Sequence, residues 1–357
     1  MNFERYDRQT ILAGFGIDAQ KKLHQAKVLV VGAGGLGVPV LTYLNAMGIG
    51  TLGIVDNDVI SISNLHRQVL YSEAEVGQSK VGVAITKLRN QNSETVIIAH
   101  ETFLTQENAL NIIADYDLVV DASDNFPTRY LINDACVILK KSFVYGALHG
   151  FEGQVSVFNH NDGPTYRCLF PNMPKSDEVP DCNENGVLGI LPGIIGNFQA
   201  LETVKVLTGV GEVLSGKLLL FDGLSNTFQK ISFSARPENR ELHGLRPCYD
   251  FECASVFNIV DAEAFLGLTE FEKLQLIDVR TPKEFDRNHL KIAKNIPLPE
   301  LDIRQNEINF DEFIYVVCQS GIRSKKAIER LSNARPDAHF INLSGGMNQI
   351  KKHGVTN

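Results

Sequence analysis

A glycine-rich turn between an apolar run and a helical pattern is the feature that most constrains the fold. The turn, residues 32–37, reads Gly-Ala-Gly-Gly-Leu-Gly, follows the β-branched run 28–31 and precedes a helical pattern. A second short strand, 51–55, leads to Asp56. Strand, turn, helix and strand make a βαβ unit in a parallel sheet. The glycines let phosphates approach the helix N-terminus, and Asp56 stands where a carboxylate accepts ribose hydroxyl bonds. The unit predicts a nucleotide site, and the turn alone leaves NAD and ATP open.

The secondary-structure pattern continues as α/β and changes in character after Gly153. A helix at 80–89 and strands at 96–98 and 118–121 extend the parallel sheet, whereas the later sequence favours antiparallel strands around one buried helix. The later strands are predicted at 154–158, 217–221 and 227–233, the helix at 192–207, and three further strands at 274–278, 313–318 and 339–343. The predicted fold is α/β, with a Rossmann-like ATP-binding domain and mixed sheet over 1–235, a linker at 236–255, and a smaller α/β domain over 256–357.

Charge and composition exclude several classes of function. The formal net charge of -8 argues against nucleic acid as a partner. Residues 256–357 hold 14 acidic and 14 basic residues, so the whole excess lies before them, as expected for two domains. The N-terminus lacks a signal-peptide core, and the apolar stretch 188–207 is too polar for a membrane span. We therefore expect a cytoplasmic protein, in which six cysteines do not form a disulfide framework.

Charged and polar residues after the predicted strands favour ATP over NAD. The segment 63–68 reads Ser-Asn-Leu-His-Arg-Gln, and Lys80 opens the next helix. Arg67 and Lys80 are the fixed cations that a triphosphate needs, and Asp124 offers a carboxylate to Mg²⁺. Taken singly, each has a simpler interpretation as a surface charge or a turn residue. Only the ordered set is specific.

This ordered set, together with Arg-Tyr-Asp-Arg-Gln at 5–9, resembles the sulfur-carrier adenylyltransferases of molybdopterin and thiamine biosynthesis. These enzymes are bacterial relatives of ubiquitin-activating enzymes, and the resemblance covers residues 4–234. It implies ATP and Mg²⁺ as cofactors, with Asp124 supporting the metal, and a homodimer in which Arg8 reaches the other subunit's site. The residues implied to bind the cofactor are Arg8, Gly35, Asp56, Ser63, Asn64, Leu65, His66, Arg67, Lys80, Asp124 and Asn125, of which Arg67 is also a catalytic candidate.

The resemblance also implies the chemistry and the partner. A small ubiquitin-like sulfur carrier presents its C-terminal Gly-Gly carboxylate, which attacks the α-phosphate of ATP and leaves an acyl-adenylate. A carboxylate needs no general base, so the enzyme works by positioning and by neutralising phosphate charge.

This chain keeps one cysteine position of the resembled family and lacks most of a second cysteine pattern. Cys182 lies in the polar stretch 180–186 and matches a secondary thiol in sulfur transfer. Many relatives hold a structural zinc with two C-x-x-C pairs. Here only Cys168 remains of the first pair, and Cys248 and Cys253 have the wrong spacing for the second. We therefore expect no structural zinc, and the sequence does not show what fixes the end of the domain instead.

A second cysteine motif lies near the end of the chain. Cys318 ends a predicted strand in the loop 318–324, Cys-Gln-Ser-Gly-Ile-Arg-Ser, whose amides converge before a helix. Such a loop favours a sulfur anion, and Arg323 adds positive charge. The loop resembles the active loop of rhodaneses, over about 256–352, and implies sulfur transfer from a persulfide or thiosulfate donor. Asn288 and Ile292 replace glycines usual in that family. The alternative is therefore an inactive rhodanese domain that serves only for docking. His289 is predicted to be structural, and Cys136 to lie in the core.

The favoured hypothesis is an enzyme that adenylates a Gly-Gly carrier and delivers persulfide sulfur from Cys318, with Cys182 resolving the product to a thiocarboxylate. Two alternatives remain: an NAD-dependent dehydrogenase, which lacks an evident hydride-transfer acid–base pair, and a non-catalytic nucleotide-binding scaffold. ATP–pyrophosphate exchange distinguishes the three. The carrier, its pathway and the sulfur donor stay open.

Overall fold

The computed structural model describes residues 3–174, 186–246, 248–249, 258–269, 274–335 and 337–352. The chain divides into two compact units, 1–251 and 252–357. Among the described helices, none combines the length and the apolar character needed to cross a bilayer.

The first unit is an eight-stranded sheet with helices between its strands. Its described α-helices are α1 (Asp7–Thr10), α2 (Gly16–Gln25), α3 (Gly37–Ala46), α4 (Lys80–Gln91), α5 (Ala109–Ala114), α6 (Phe126–Ile138), α7 (Tyr166–Leu169) and α8 (Leu191–Thr208). Its strands are β1 (Lys27–Val31), β2 (Thr51–Val55), β3 (Val96–His100), β4 (Leu118–Asp121), β5 (Ser142–His149), β6 (Glu152–Phe158), β7 (Lys217–Asp222) and β8 (Thr227–Ser232).

The strand order of this sheet places a binding crevice at one edge. The order is β3-β2-β1-β4-β5-β6-β7-β8. Pairing is parallel from β3 to β5 and antiparallel from β5 to β8, which confirms the predicted mixed sheet. The chain leaves β1 toward β2 and β3 and then returns to β4 on the other side of β1. In open α/β sheets, ligands bind at the carboxyl ends of the strands at such a reversal.

Helix α8 is the buried helix that the apolar stretch predicted. Side chains around much of its circumference are buried, including Ile195 and Thr203, because it lies between the sheet and its neighbouring helices. Gly196 permits close packing, since a Cβ there would lie 2.6 Å from the carbonyl oxygen of Leu36. The helix therefore begins beside the glycine turn.

A hydrogen-bonded network holds the end of the first unit. Arg167 makes two bonds to Asp134, of 2.7 and 2.8 Å, and the Tyr249 hydroxyl donates to the same carboxylate at 2.7 Å. The Arg236 amide donates to Cys168 Sγ at 3.2 Å. Among the described residues, no three His, Cys, Asp or Glu side chains are grouped to hold a metal ion.

Two further cysteines can be compared with their predictions. Cys136 is fully buried in the core, as predicted, and burial raises the pKa of its thiol. Cys248 is disulfide-bonded, a bond that the sequence analysis did not predict.

The second unit is a smaller, wholly parallel α/β fold. Its described strands are β9 (Asn258–Val260), β10 (Gln275–Asp278), β11 (Ala293–Asn295), β12 (Ile314–Val317) and β13 (Phe340–Leu343), in the order β11-β10-β12-β13-β9. Its described helices are α9 (Ala262–Thr269), α10 (Pro282–Arg287), α11 (Ile322–Ala334) and α12 (Gly346–Lys352). The three strands predicted for this unit, at 274–278, 313–318 and 339–343, are present as β10, β12 and β13. The three-residue strands β9 and β11 were not predicted, because they are too short to show a pattern.

Candidate active sites

Gly32 and Gly37, the first and last residues of the turn after β1, leave no room for a side chain. Gly32 has a positive φ of 104°, and a Cβ there would lie 2.6 Å from the carbonyl oxygen of Ala122. A Cβ at Gly37 would lie 1.9 Å from the carbonyl oxygen of Gly32. The glycines are therefore required by the close approach of the turn to itself and to the end of β4.

Asp56 lies against this turn, as its position after β2 predicted. Its carboxylate accepts the Ala33 amide at 2.7 Å and the Asp58 amide at 2.8 Å. The Tyr71 hydroxyl donates to the Ala33 carbonyl at 2.9 Å. The second residue of the turn is thus held through both its N–H and its C=O.

The segment 62–68 brings Arg67 to the turn. A Cβ at Gly35 would lie 3.5 Å from Arg67 Cδ and 3.0 Å from Pro192 Cβ, so these residues are in contact. Arg67 Nη1 donates to the Ser63 carbonyl at 3.0 Å. The side chain of Arg67 is therefore anchored at one nitrogen, and the guanidinium keeps other donors.

The other candidates in this segment have local roles. The Asn64 side chain accepts the Ser61 amide at 3.2 Å, and a ring nitrogen of His66 lies 2.9 Å from the Ser63 carbonyl oxygen. Leu65 packs against the hydrophobic core. These contacts shape the segment that carries Arg67.

Lys80 is buried at the start of α4, and its partner was not predicted. Its side chain is 6% exposed, and Nζ donates to Asp58 at 2.8 Å. Asp58 itself is 59% exposed. The sequence signal for this pair was a second carboxylate two residues after Asp56.

Asp124 and Asn125 follow β4 and differ in what they do locally. Both are exposed. Asn125 accepts the Thr128 amide at 2.9 Å and caps α6. The Asp124 carboxylate makes no hydrogen bond to another residue that the structure describes.

Arg8 lies apart from this group within its own chain. It is exposed on α1, and its neighbour Gln9 donates to the carbonyl of Met47, just past the C-terminus of α3. The glycine turn precedes the N-terminus of α3, so the length of that helix, about 15 Å, separates the two regions. Cys182 lies outside the described residues.

The Cys318 loop brings one amide and one hydroxyl to its sulfur atom. Cys318 is buried, the Gly321 amide donates to Sγ at 3.1 Å, and the Ser324 hydroxyl lies 3.5 Å from it. Gly321 has a positive φ of 95°, which aims its amide inward. Ser324 also contacts Asn342 at 2.7 Å. The loop can thus stabilise negative charge on sulfur.

Arg323 beside this loop is paired with a carboxylate that was not assigned a role. It makes bonds of 2.8 and 2.6 Å to Glu284, and these bonds lower the pKa of Glu284 to about 2. The signal available in the sequence was Glu284 in the segment 278–285, Asp-Val-Arg-Thr-Pro-Lys-Glu-Phe, which follows the predicted strand 274–278.

The scaffold under the loop is built on a buried ion pair. Arg280 is fully buried and bonds to Asp278 at 2.6 Å and to Gln319 in the active loop at 3.2 Å. Asn288, which replaces a family glycine, accepts from Arg280 through its carbonyl at 2.8 Å. His289 bonds to the Phe285 carbonyl at 2.9 Å and stacks on that ring, the structural role predicted for it.

Comparison with known proteins identifies both units. Residues 6–242 match the ThiF family, and residues 261–353 match the rhodanese-like domain. The chain therefore belongs to the ThiF family and carries a C-terminal rhodanese-like domain, which confirms both resemblances. Membership implies use of ATP and a ubiquitin-like sulfur carrier as partner.

Three similar proteins share most of their length with this chain. An adenylyltransferase and sulfurtransferase MOCS3-2 from Zea mays is 41% identical over 96% of this chain and 78% of its own. The protein named MOCS3 from Culex quinquefasciatus is 40% identical over 92% and 82%. A sulfur carrier protein adenylyltransferase from Thermus thermophilus is 49% identical over 74% of this chain and 97% of its own. The two-domain enzyme class predicted from the motifs, adenylyltransferase joined to sulfurtransferase, is confirmed.

Solved structures share the fold of the first unit. E. coli MccB crystallised with MccA-N7isoASN has a TM-score of 0.59 at 22% identity, covering 66% of this chain and 73% of that one. MccB with ATP has a TM-score of 0.56 at 23% identity, covering 62% and 68%. At this identity the similarity concerns the fold alone.

Proposed function

We propose that the first unit uses ATP and Mg²⁺ to adenylate the C-terminal Gly-Gly carboxylate of a small ubiquitin-like sulfur carrier, and that Cys318 then supplies sulfur. The observation that carries the first half is the convergence of the glycine turn, Asp56 and the end of β4 at the switch point of the sheet. A nucleoside binds along the turn and Asp56, and the phosphates extend toward Arg67 and Lys80.

The residues present fit a magnesium ion held jointly with ATP. Mg²⁺ takes one or two protein carboxylates and completes its shell with phosphate oxygens and water. Asp124 is exposed at the strand end and free of hydrogen bonds to described residues, so its carboxylate is available to such an ion. The ion would neutralise charge on the phosphates.

The adenylation step needs little proton transfer. A carboxylate oxygen of the carrier attacks the α-phosphorus, the bond to pyrophosphate breaks, and the acyl-adenylate forms. Arg67 and Lys80 bind phosphate oxygens and stabilise the developing charge, while the glycine turn excludes side chains from the path of the nucleotide.

The observation that carries the second half is the position of the Gly321 amide and the Ser324 hydroxyl beside Cys318 Sγ. The thiolate attacks the outer sulfur of a persulfide or thiosulfate donor and becomes a persulfide, while the donor's S–S bond breaks and a thiolate or sulfite leaves. Its terminal sulfur attacks the acyl carbon, and AMP leaves. The Cys182 thiolate attacks Cys318 Sγ in the resulting acyl-disulfide, which releases the carrier thiocarboxylate and leaves a disulfide. A dithiol reductant then restores the two thiols.

Two measurements test this function. Wild-type protein with the carrier should catalyse ATP–pyrophosphate exchange, and with a sulfur donor and a reductant it should convert the carrier carboxylate to a thiocarboxylate, detected by mass. Absence of exchange with every Gly-Gly carrier tested would contradict the first half, and exchange without thiocarboxylate would contradict the second.

We also propose a homodimer in which Arg8 completes the site of the other subunit. The support is the exposure of Arg8 and its distance along α3 from the glycine turn of its own chain. Mixing inactive Arg8→Ala with inactive Asp124→Ala should restore part of the exchange activity, since one site of a mixed dimer is intact. Heterodimers proven by mass spectrometry but inactive would contradict the cross-subunit role.

A further inference from the structure

A buried carboxylate ends β4, three residues before Asp124, and has no part in the chemistry proposed above. Asp121 is fully buried, and its Oδ1 accepts the amide of Ser123 at 3.0 Å and the hydroxyl of Ser123 at 2.6 Å. Its Oδ2 has no hydrogen-bond partner among the described residues. Burying a carboxylate is costly, and an apolar side chain would fill the same place at lower cost. The contacts of Asp121 indicate a role for this buried carboxylate.

Arg129 also bonds to Ser123, through the carbonyl of that residue. Its Nη2 donates to the Ser123 carbonyl at 3.3 Å, and its guanidinium lies 5.2 and 5.6 Å from the ring centres of Phe126 and Tyr145. Ser123 is therefore fixed at its amide and hydroxyl by Asp121 and at its carbonyl by Arg129. Burial raises the pKa of Asp121 to about 6, and the charge of Arg129 opposes that rise.

Helix α8 ties this arrangement to the glycine turn. Gln199 Nε2 donates to the Asp121 carbonyl at 2.6 Å. Gly146 on β5 provides the space, since a Cβ there would lie 2.4 Å from Gln199 Cδ. The same helix places Pro192 against Gly35. The end of β4 and the phosphate-binding turn thus share one rigid support.

We propose that Asp121 and Arg129 are positioning residues for adenylation, which clamp Ser123 and so direct the carboxylate of Asp124 toward the Mg²⁺-bound phosphates. The inference rests on the adenylation proposed above. Because Asp124 is exposed and bonds to no other described side chain, the backbone on its N-terminal side sets where its carboxylate points.

The Mg²⁺ dependence of carrier-dependent ATP–pyrophosphate exchange tests the clamp. Residues that orient a metal ligand typically contribute about 10- to 100-fold to metal affinity or activity, so Asp121→Asn should raise the half-maximal Mg²⁺ concentration about tenfold or more. Ser123→Ala should raise the half-maximal Mg²⁺ concentration by a smaller factor. Ser123→Thr, which keeps the hydroxyl, should leave it at the wild-type value. Asp134→Asn is the matched control, because Asp134 is also a buried carboxylate of the first unit, but it bonds to Arg167 in the network at the end of the unit.

The outcomes separate the clamp from the function itself. Wild-type exchange with unshifted Mg²⁺ midpoints in Asp121→Asn and Ser123→Ala overturns the clamp, as does an equal shift in Asp134→Asn. If Asp121→Asn does not fold, the Ser123→Ala and Ser123→Thr pair decides, and an unshifted Ser123→Ala overturns the proposal. Wild-type protein without exchange refutes the proposed adenylation, and the clamp with it.

Discussion

The Cys318 loop and the nucleotide edge of the first sheet both bind anions in the proposed function, but they are built differently. In the loop, the sulfur and the donors around it come from residues 318–324, a single strand-to-helix connection. At the nucleotide edge, Gly32, Asp56 and Asp124 come from the ends of three different strands. Local sequence specifies the first site, and sheet topology assembles the second.

The cations of the two sites are each paired with a carboxylate and differ in burial. Arg323 is held by both oxygens of Glu284, and a guanidinium has five N–H donors, so several remain for a sulfur anion. Lys80 is almost fully buried and makes one bond, to Asp58. Each cation therefore keeps N–H donors for an anion while it holds its carboxylate, since an ammonium has three donors and a guanidinium has five. The two differ in burial, because the Lys80 side chain is 6% exposed and that of Arg323 is 33% exposed. Independent sites of this kind should be separable by single substitutions.

The largest effect should come from Cys318→Ala. Removing the only sulfur atom in the loop abolishes persulfide formation, because no other group there can carry the transferred sulfur. Thiosulfate:cyanide sulfurtransfer and carrier thiocarboxylate should fall to background. Carrier-dependent ATP–pyrophosphate exchange should stay at the wild-type rate, since Cys318 lies in the other compact unit.

Two other results for Cys318→Ala would contradict the independence of the two sites. Thiocarboxylate formed at the normal rate by Cys318→Ala would mean that sulfur reaches the adenylate by another route and that the second unit is a docking module. A parallel loss of exchange would mean that the two sites are coupled.

The next largest effect should come from Asp124→Ala. Losing one electrostatic contact to a phosphoryl transition state costs about 3 kcal/mol, or roughly 100-fold in rate. Exchange should therefore fall by about that factor, while sulfurtransfer from thiosulfate to cyanide stays normal. Glu107→Ala is a matched control, since Glu107 is also an exposed acid of the first unit. Near-normal exchange in Asp124→Ala would refute the metal assignment.

The contrast between the sites also explains what the sequence could predict. The βαβ unit, the mixed sheet and the rhodanese-like unit follow from apolar runs and glycine turns, whose local patterns are strong. Strand β5 was not predicted, because Ser142 to His149 contains a glycine and polar ends that weaken its pattern. Gly146 in that strand serves Gln199, which lies 53 positions later, and no local pattern shows such a contact.

The partners in the ion pairs of the two sites were also not predicted from the sequence. Lys80 and Arg323 were predicted as cations, but Asp58 and Glu284 were not predicted as their partners. Likewise Asp134, Arg167 and Tyr249 meet from three distant segments. Pairs of this kind depend on side-chain directions set by the whole fold, and a sequence pattern gives only the residue types.

The smallest effect should come from Glu284→Gln. Glu284 and Arg323 are about one-third exposed, and an ion pair with such exposure contributes about 1 kcal/mol or less, so sulfurtransfer should fall by no more than roughly fivefold. The lowered pKa of about 2 means that the carboxylate's stabilising charge is present above the usual carboxyl range and is lost only as the pH falls through about 2. The ratio of wild-type to Glu284→Gln rates should thus be constant from pH 6 to 9, and exchange should not change. Asp58→Asn is the matched counterpart, expected to alter the KM for ATP and leave sulfurtransfer alone. A ratio that varies with pH would show that Glu284 titrates in the assay range, and an effect of Glu284→Gln on exchange would end the separation of the two sites.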